Sequence, residues 1–313
     1  MYRYFGRRLL GVFPVLLVVG VFVFAILHLT PGDPAVIIAG EHATAEDVAR
    51  IRDSLKLDRP LVEQFVIWAG NVIRGDLGVS IYSNQPVTAL LGQRFEPTLS
   101  LAITTLIFKC LIAVPLGVLA AWRAGMMADR AIMLFAVLAF SFPVFWVGYA
   151  LVLFFSVKLG WFPVQGFRSI TDGVLLFLHH IPLPTISLGL LQTALLARIT
   201  RATTLEVLNQ DYIRMARAKG LPGRQVLFVH ALRNASVPIV TTIGLSTATM
   251  LGGAVVTESV FGLPGLGRLT VDAIMTRDYP VIQGLILVFA AVYVLINLLV
   301  DLLYVKLDPR INY

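Results

Sequence analysis

Six stretches of this chain are long and apolar enough to cross a lipid bilayer, and they limit its fold more than any other feature. They fall at residues 9–29, 98–121, 131–157, 185–201, 236–258 and 280–303. A hydrocarbon core about 30 Å thick takes roughly 20 mostly apolar residues in a helix. Inside it every backbone amide and carbonyl must be satisfied within the segment, which selects helices for runs of this length. Composition agrees. Of 313 residues 58% are hydrophobic and 14% charged, against about 25% charged in a soluble domain. The polar residues are too few to cover a water-exposed globule, so the expected class is an all-α membrane protein with six transmembrane helices. The run at 9–29 is too long for a signal-peptide core and lacks a small-residue cleavage site, so it reads as an uncleaved helix. Gln192, Thr193 and Arg198 interrupt the fourth run.

Six spans place both termini on one side, and charge selects that side. Arg3, Arg7, Arg8, Arg123, Arg130, Lys306 and Arg310 would share one face with seven basic residues between Arg198 and Arg233. Basic loops stay in the cytoplasm, so both termini are expected there. The formal net charge of +7 then reflects cytoplasmic loops rather than a nucleic-acid partner. The resulting plan is a tail and first helix at 1–30, a long extracytoplasmic loop at 31–97, and a core at 98–313. The core holds five transmembrane helices and a cytoplasmic loop at 202–235. In the outer loop, Thr44 and Asp47 form a capping-box pattern ahead of Val48, Ile51 and Leu55, which share a helical face. Pro60 breaks that pattern, and residues 61–73 suit a second short helix ending near Gly75. Such a loop suits a functional role and a packing collar equally.

The chain carries no phosphate-binding loop, no H-E-x-x-H metal site and no G-x-S-x-G nucleophile elbow. No catalytic constellation is visible, and no cofactor is expected in this chain. Its single cysteine, Cys110, permits no intrachain disulfide and reads as an apolar thiol inside a span. His179 and His180 are adjacent, diverge in direction on a helix, and read as a solvated loop pair. Lys109 lies well inside a span and either snorkels to the headgroups or faces another helix. Glu258 and Asp301 sit near helix ends, where water is expected close by. No chain of acids crosses the helices, which counts against a proton-coupled carrier. Gln192, Thr193, Thr242, Ser246, Thr249 and Asn297 suit either a lined path or interhelical hydrogen bonds.

The most informative segment is the loop between the fourth and fifth runs. Residues 212–219 suit a short helix, with Gly220 as its stop and Pro222 preventing continuation. Its basic residues keep it solvated, while Ile213, Met215 and Ala216 offer a small knob for a partner. The same residues also suit a basic amphipathic helix resting on acidic headgroups.

From Asp211 the loop reads DYIRMARAKG, and from His230 it continues HALRNA. This pair of motifs resembles the coupling loop of bacterial ABC importer permeases of the dipeptide, oligopeptide, nickel and glutathione group. Further matches follow in order: TPGDP from Thr30, GDLG from Gly75, TESVF from Thr257, PGLG from Pro264, RDYP from Arg277 and DPR from Asp308. They cover nearly the whole chain. Each is weak alone; their joint order and spacing are specific. The family pattern has Glu-Ala-Ala, three residues, then Gly. Here Ala216 and Gly220 match, while Arg214 and Met215 stand where Glu and the first Ala fall, so no docking contact through an acidic side chain carries over.

The resemblance implies a type I ABC importer permease fold in a bacterial cytoplasmic (inner) membrane. It implies a second homologous permease subunit, two ABC ATPase subunits that do the hydrolysis, and an extracytoplasmic solute-binding protein. The ATPase-coupling residues would be Tyr212, Ile213, Arg214, Met215, Ala216, Arg217, Ala218, Lys219 and Gly220, with Ala216 and Gly220 central. The segment from Phe261 to Gly267 would be a gate, a receptor-docking turn, or a tight turn before a short helix. The expected solute is peptide-like, a di- or oligopeptide or glutathione; nickel complexes, opines and sugars are the alternatives within the group. An ion-coupled secondary carrier would need repeated halves with broken helices, and a receptor scaffold would leave the coupling loop unexplained.

Overall fold

The computed structural model describes residues 2–29, 33–39, 43–54 and 56–307. Thr30, Pro31, Gly32, Leu55, Asp308, Pro309 and Arg310, which enter the readings above, lie outside them. Among the described residues the regular elements are helical, apart from an isolated bridge between Val79 and Pro86. The chain divides into two compact units, Met1–Glu96 with Arg268–Leu295, and Pro97–Gly267 with Ile296–Tyr313.

The first unit contains α1 (Tyr2–Leu29), α2 (Pro34–Ala39), α3 (Ala45–Ser54) and α4 (Leu61–Ile73). The capping box opens α3: the Asp47 amide donates to Thr44 Oγ1 (3.2 Å), and the Thr44 amide and hydroxyl donate to Asp47 Oδ2 (3.1 and 2.7 Å). The Thr44 hydroxyl, followed by its amide, holds the Asp47 carboxyl below the usual carboxylate range. Pro60 precedes α4, where its missing N–H costs nothing. The helix ends at Arg74, and Gly75 takes the left-handed conformation at φ +83°. Aromatic rings seat α4 on α1: Phe24 lies 5.4 Å from Phe65 and 5.8 Å from Trp68.

This unit also holds the first turns of α5 (Val87–Trp122), most of α13 (Leu266–Met275) and much of α14 (Tyr279–Leu307). Arg277 ends α13 at φ +54°, a conformation uncommon outside glycine. The next residue, Asp278, is buried and organises the turn ahead of α5. It accepts from Ser80 Oγ (2.5 Å) and from the Ile81 amide (3.3 Å). The RDYP motif is therefore an anchor for the GDLG segment's turn.

The second unit contains most of α5, then α6 (Met127–Ser141), α7 (Val144–Leu151), α8 (Val174–His180) and α9 (Pro182–Leu208). These are followed by α10 (Asp211–Ala218), α11 (Gly223–Gln225) and α12 (Leu232–Val260). Helix α9 is the packing centre, with a run of buried small and polar residues from Leu183 to Leu208. Helices approach closely where a side chain is absent. A Cβ on Gly117 would lie 2.6 Å from the Ala197 carbonyl oxygen, and one on Gly189 would lie 2.7 Å from the Phe108 ring. Small residues at such crossings replace the hydrophobic driving force that lipid does not supply.

Four helical segments are long and apolar enough to cross a membrane: α5, α9, Gly223–Val260 and the Tyr279–Leu303 part of α14. The expected third span, 131–157, is not one straight helix. It is Met127–Ser141 followed by Val144–Lys158 at an angle of 100°. Pro143 lacks a donor and forces Phe142 out of the helical region, to φ −98° and ψ 133°. Counted as one span, the bent pair makes five candidates; the apolar part of α1, Gly11–Ala25, is shorter. The fifth expected span is longer than read, because a π-helical segment, Val226–Ala231, joins α11 to α12. His179 and His180 are not in a loop: the apolar Val174–Phe177 run makes α8, which they close. Their ring nitrogens lie 2.9 Å from the Trp161 carbonyl oxygen and 2.8 Å from that of Leu176.

Candidate functional site

The loop that carries the resemblance folds as a short helix bolted to its own unit. Helix α10 follows Gln210 in extended conformation and ends at Lys219. Gly220 takes φ +82°; its amide donates to the Arg217 carbonyl (2.9 Å) and the Leu221 amide to that of Ala216 (3.3 Å). This is the Schellman arrangement, which suits glycine at the left-handed position. Ile213 is fully buried and Ala216 nearly so, packed with Val118 and Ala121 of α5, Leu208 of α9, and Val226, Leu227 and Ala231.

That packing corrects the expected knob. Ile213 and Ala216, three residues apart, share the inward face, and Met215 points the other way. Tyr212, Arg214, Met215, Arg217, Ala218, Lys219 and Gly220 are exposed. Ala216 therefore serves the chain's own core, and the exposed surface of α10 is Met215 flanked by basic residues. The second half of the motif has a structural role the residues alone did not disclose. Asn234 Nδ2 donates to Tyr212 Oη (2.9 Å) and to the His230 carbonyl (2.8 Å), tying α10 to the foot of α12.

Helix packing also places the charges within the second unit. Lys109 does not snorkel. It is fully buried, and its three ammonium donors face Ser246 Oγ (2.8 Å), Thr247 Oγ1 (2.9 Å) and the Ile243 carbonyl (3.4 Å) on α12. Ser246 thus makes an interhelical bond. Thr242 and Thr249 bond back to their own helix, to the Pro238 and Ser246 carbonyls (2.9 and 3.1 Å). Arg201 grips Asp129 at two points, Nε to Oδ1 (2.5 Å) and Nη2 to Oδ2 (2.7 Å), and the Gly125 amide donates to the same carboxylate (2.9 Å). This rung joins α9 to the start of α6.

Glu258 is not beside water, as expected, but fully buried. Thr98 Oγ1 donates to its Oε1 (2.6 Å) and accepts from the Leu266 amide (2.8 Å). The Leu263 amide donates to its carbonyl (2.9 Å), Gly262 turns at φ +60°, and a side chain at Gly265 would meet the carboxylate. The segment from Phe261 to Gly267 is thus a tight turn before a short helix, and Gly265 and Gly267 leave the space that Glu258 fills.

Comparison with known proteins settles the family. The pattern described as "Binding-protein-dependent transport system inner membrane component" matches residues 113–313, and that of the corresponding N-terminal region matches residues 1–102. The chain belongs to this family. It is a permease subunit of a binding-protein-dependent ABC importer and a multi-pass inner-membrane protein. Among its relatives is the Probable peptide ABC transporter permease protein y4tP of Sinorhizobium fredii, 51% identical over 99% of both chains. Another is the Glutathione transport system permease protein GsiC of Escherichia coli, 44% identical over the full length of both. In fold, the permease resembles a chain of the inward-facing MetNI methionine ABC transporter. The TM-score is 0.58 at 18% identity, covering 70% of this chain and 96% of the other.

Proposed function

We propose that this permease forms half of the translocation pathway of an importer for a peptide-like solute, a di- or oligopeptide or glutathione. A second homologous permease would supply the other half, two ABC ATPases the energy, and an extracytoplasmic binding protein the solute. The named relatives favour this solute class over nickel complexes, opines or sugars. We count α1 and the bent α6–α7 pair with the four long helices as six spans, and place both termini in the cytoplasm with the basic loops.

The observation that supports the mechanism is that α10 is packed and hydrogen-bonded into the unit it belongs to. Ile213 and Ala216 seat it in the core, the Schellman turn fixes its end, and Asn234 ties it to α12. A force on the exposed Tyr212, Met215, Arg217 and Lys219 surface reaches α5, α9 and α12 without first unfolding a linker. ATP binding closes the ATPases, draws the coupling helices together and rocks the permease pair outward; hydrolysis reverses it. The test is uptake by vesicles holding the assembled importer, with the cognate binding protein outside and ATP inside. ATP-dependent accumulation of glutathione or a short peptide is expected. Uptake that persists without the ATPases and collapses with an ion gradient contradicts the reading, and a binding protein that takes only sugars contradicts the solute class.

A further inference from the structure

Two arginines one turn apart on α9 are treated differently. Arg201 is neutralised by Asp129. For Arg198, among the described residues, no hydrogen bond or ion pair is formed, and the side chain is exposed. It lines a pocket of about 140 Å³ between α6 and α9, with Val137, Phe140, Ser141 and Leu195. Arg198 lies one turn before Arg201 on α9, near the cytoplasmic end of the fourth expected span. A guanidinium there faces protein, enters a wet cavity or snorkels to the interface.

Its direction argues against snorkelling. Helical side chains lean toward their helix's N-terminus, which here is away from the Leu208 end. The two helices run antiparallel: Asp129 meets Arg201, while Ala136 and Ala139 pack with Ala194 and Leu190 farther along. The lean therefore carries Arg198 toward Phe140 and Ser141 at the far end of α6, whose residues share its pocket. A cation without an acid, set in a groove with apolar walls, matches a ligand with a carboxylate next to an apolar group. The carboxyl end of a peptide has that chemistry.

We propose that Arg198 is a solute-binding residue of the pathway, which pairs with a carboxylate of the passing solute while Val137, Phe140 and Leu195 accept its apolar part. This rests on the reading of the chain as a permease for a peptide-like solute. Two-point pairing of guanidinium and carboxylate supplies the selectivity.

The test uses the complete importer in vesicles, with Cys110→Ala and Ser141→Cys giving one reporter thiol in this subunit. The anionic sulfonatoethyl methanethiosulfonate is expected to label it faster than the cationic trimethylammonioethyl reagent. Adding Arg198→Gln is expected to lower that ratio about tenfold, and trialanine free acid, but not its C-terminal amide, to slow labelling. With the native Ser141, Arg198→Gln is expected to lower uptake of glutathione roughly ten- to hundredfold, the loss of one charge-assisted hydrogen bond, and Arg198→Lys to restore part of it. A thiol that neither reagent reaches, a ratio indifferent to Arg198, or equal protection by acid and amide overturns the proposal. So does protection by phosphatidylglycerol in the vesicles without protection by trialanine, which assigns the site to a lipid headgroup. Charge preference and acid-selective protection in an importer that accumulates no peptide-like solute uphold the Arg198 site and contradict the proposed solute instead.

Discussion

Lys109 holds a charge at membrane depth by meeting each of its donors with a neutral oxygen from α12. Burying a charge costs several kcal/mol even when its hydrogen bonds are made, so an apolar residue of similar volume is often as stable. Lys109→Met is therefore expected to keep the Tm of the purified assembly unchanged or raise it. Ser246 and Thr247 retain bonds of their own to the Ile243 carbonyl (3.0 and 2.6 Å), so the loss orphans neither hydroxyl. A Tm drop of many degrees on Lys109→Met would show instead that the ammonium bond is a strong clamp. Thr98 is the opposite case. Thr98→Val removes one bond from the buried Glu258 and one from the Leu266 amide and should cost about 1–3 kcal/mol, read as a lower Tm of the same assembly. Neither arrangement was legible in the residues, because position in a span fixes depth and not the helix that is faced. For the burial of Glu258 a partial signal existed: glycines at 265 and 267 leave a hollow that the nearest carboxylate can fill.

At the scale of the element, α10 shows how a pattern can be right and its reading reversed. The helix and its Gly220 stop were legible, since the Schellman turn depends on local residues alone. The expected knob of Ile213, Met215 and Ala216 does not form, because a three-residue spacing sets Ile213 and Ala216 on the buried side and Met215 on the other. Ala216→Trp is accordingly expected to abolish transport by overfilling the cluster of Val118, Leu208 and Leu227, not by blocking a partner. Overpacking of this kind costs about 1–3 kcal/mol or more, and membrane insertion should be intact. Gly220→Ala should cost about 1 kcal/mol, from the side chain's conflict with φ +82°, and lower uptake without abolishing it. Both are checked by uptake normalised to the amount of assembled importer. The bend at Phe142–Pro143 was also within reach of the residues. A continuous apolar run there hid a proline that cannot continue a straight helix.

For the whole molecule, the apolar runs fixed the class, and the ordered motifs fixed the family. The way charge is spent within the second unit became visible only with the helices in place. Lys109, Asp129, Arg201 and Glu258 are absorbed by partners inside the unit, while Met215 and its basic neighbours on α10 face outward. In the proposed function, this outward face of α10 couples the permease to an ATPase. Met215→Cys with Cys110→Ala provides one thiol in this subunit on that face. In the assembled importer, with cysteines placed along the ATPase cleft, a short bifunctional thiol reagent is predicted to cross-link Met215→Cys to the ATPase subunit. The cross-link should change in yield between the ATP-bound and nucleotide-free states. A Met215→Cys subunit that supports normal ATP-driven uptake, yet forms no ATPase cross-link in either state, would contradict a coupling role for α10.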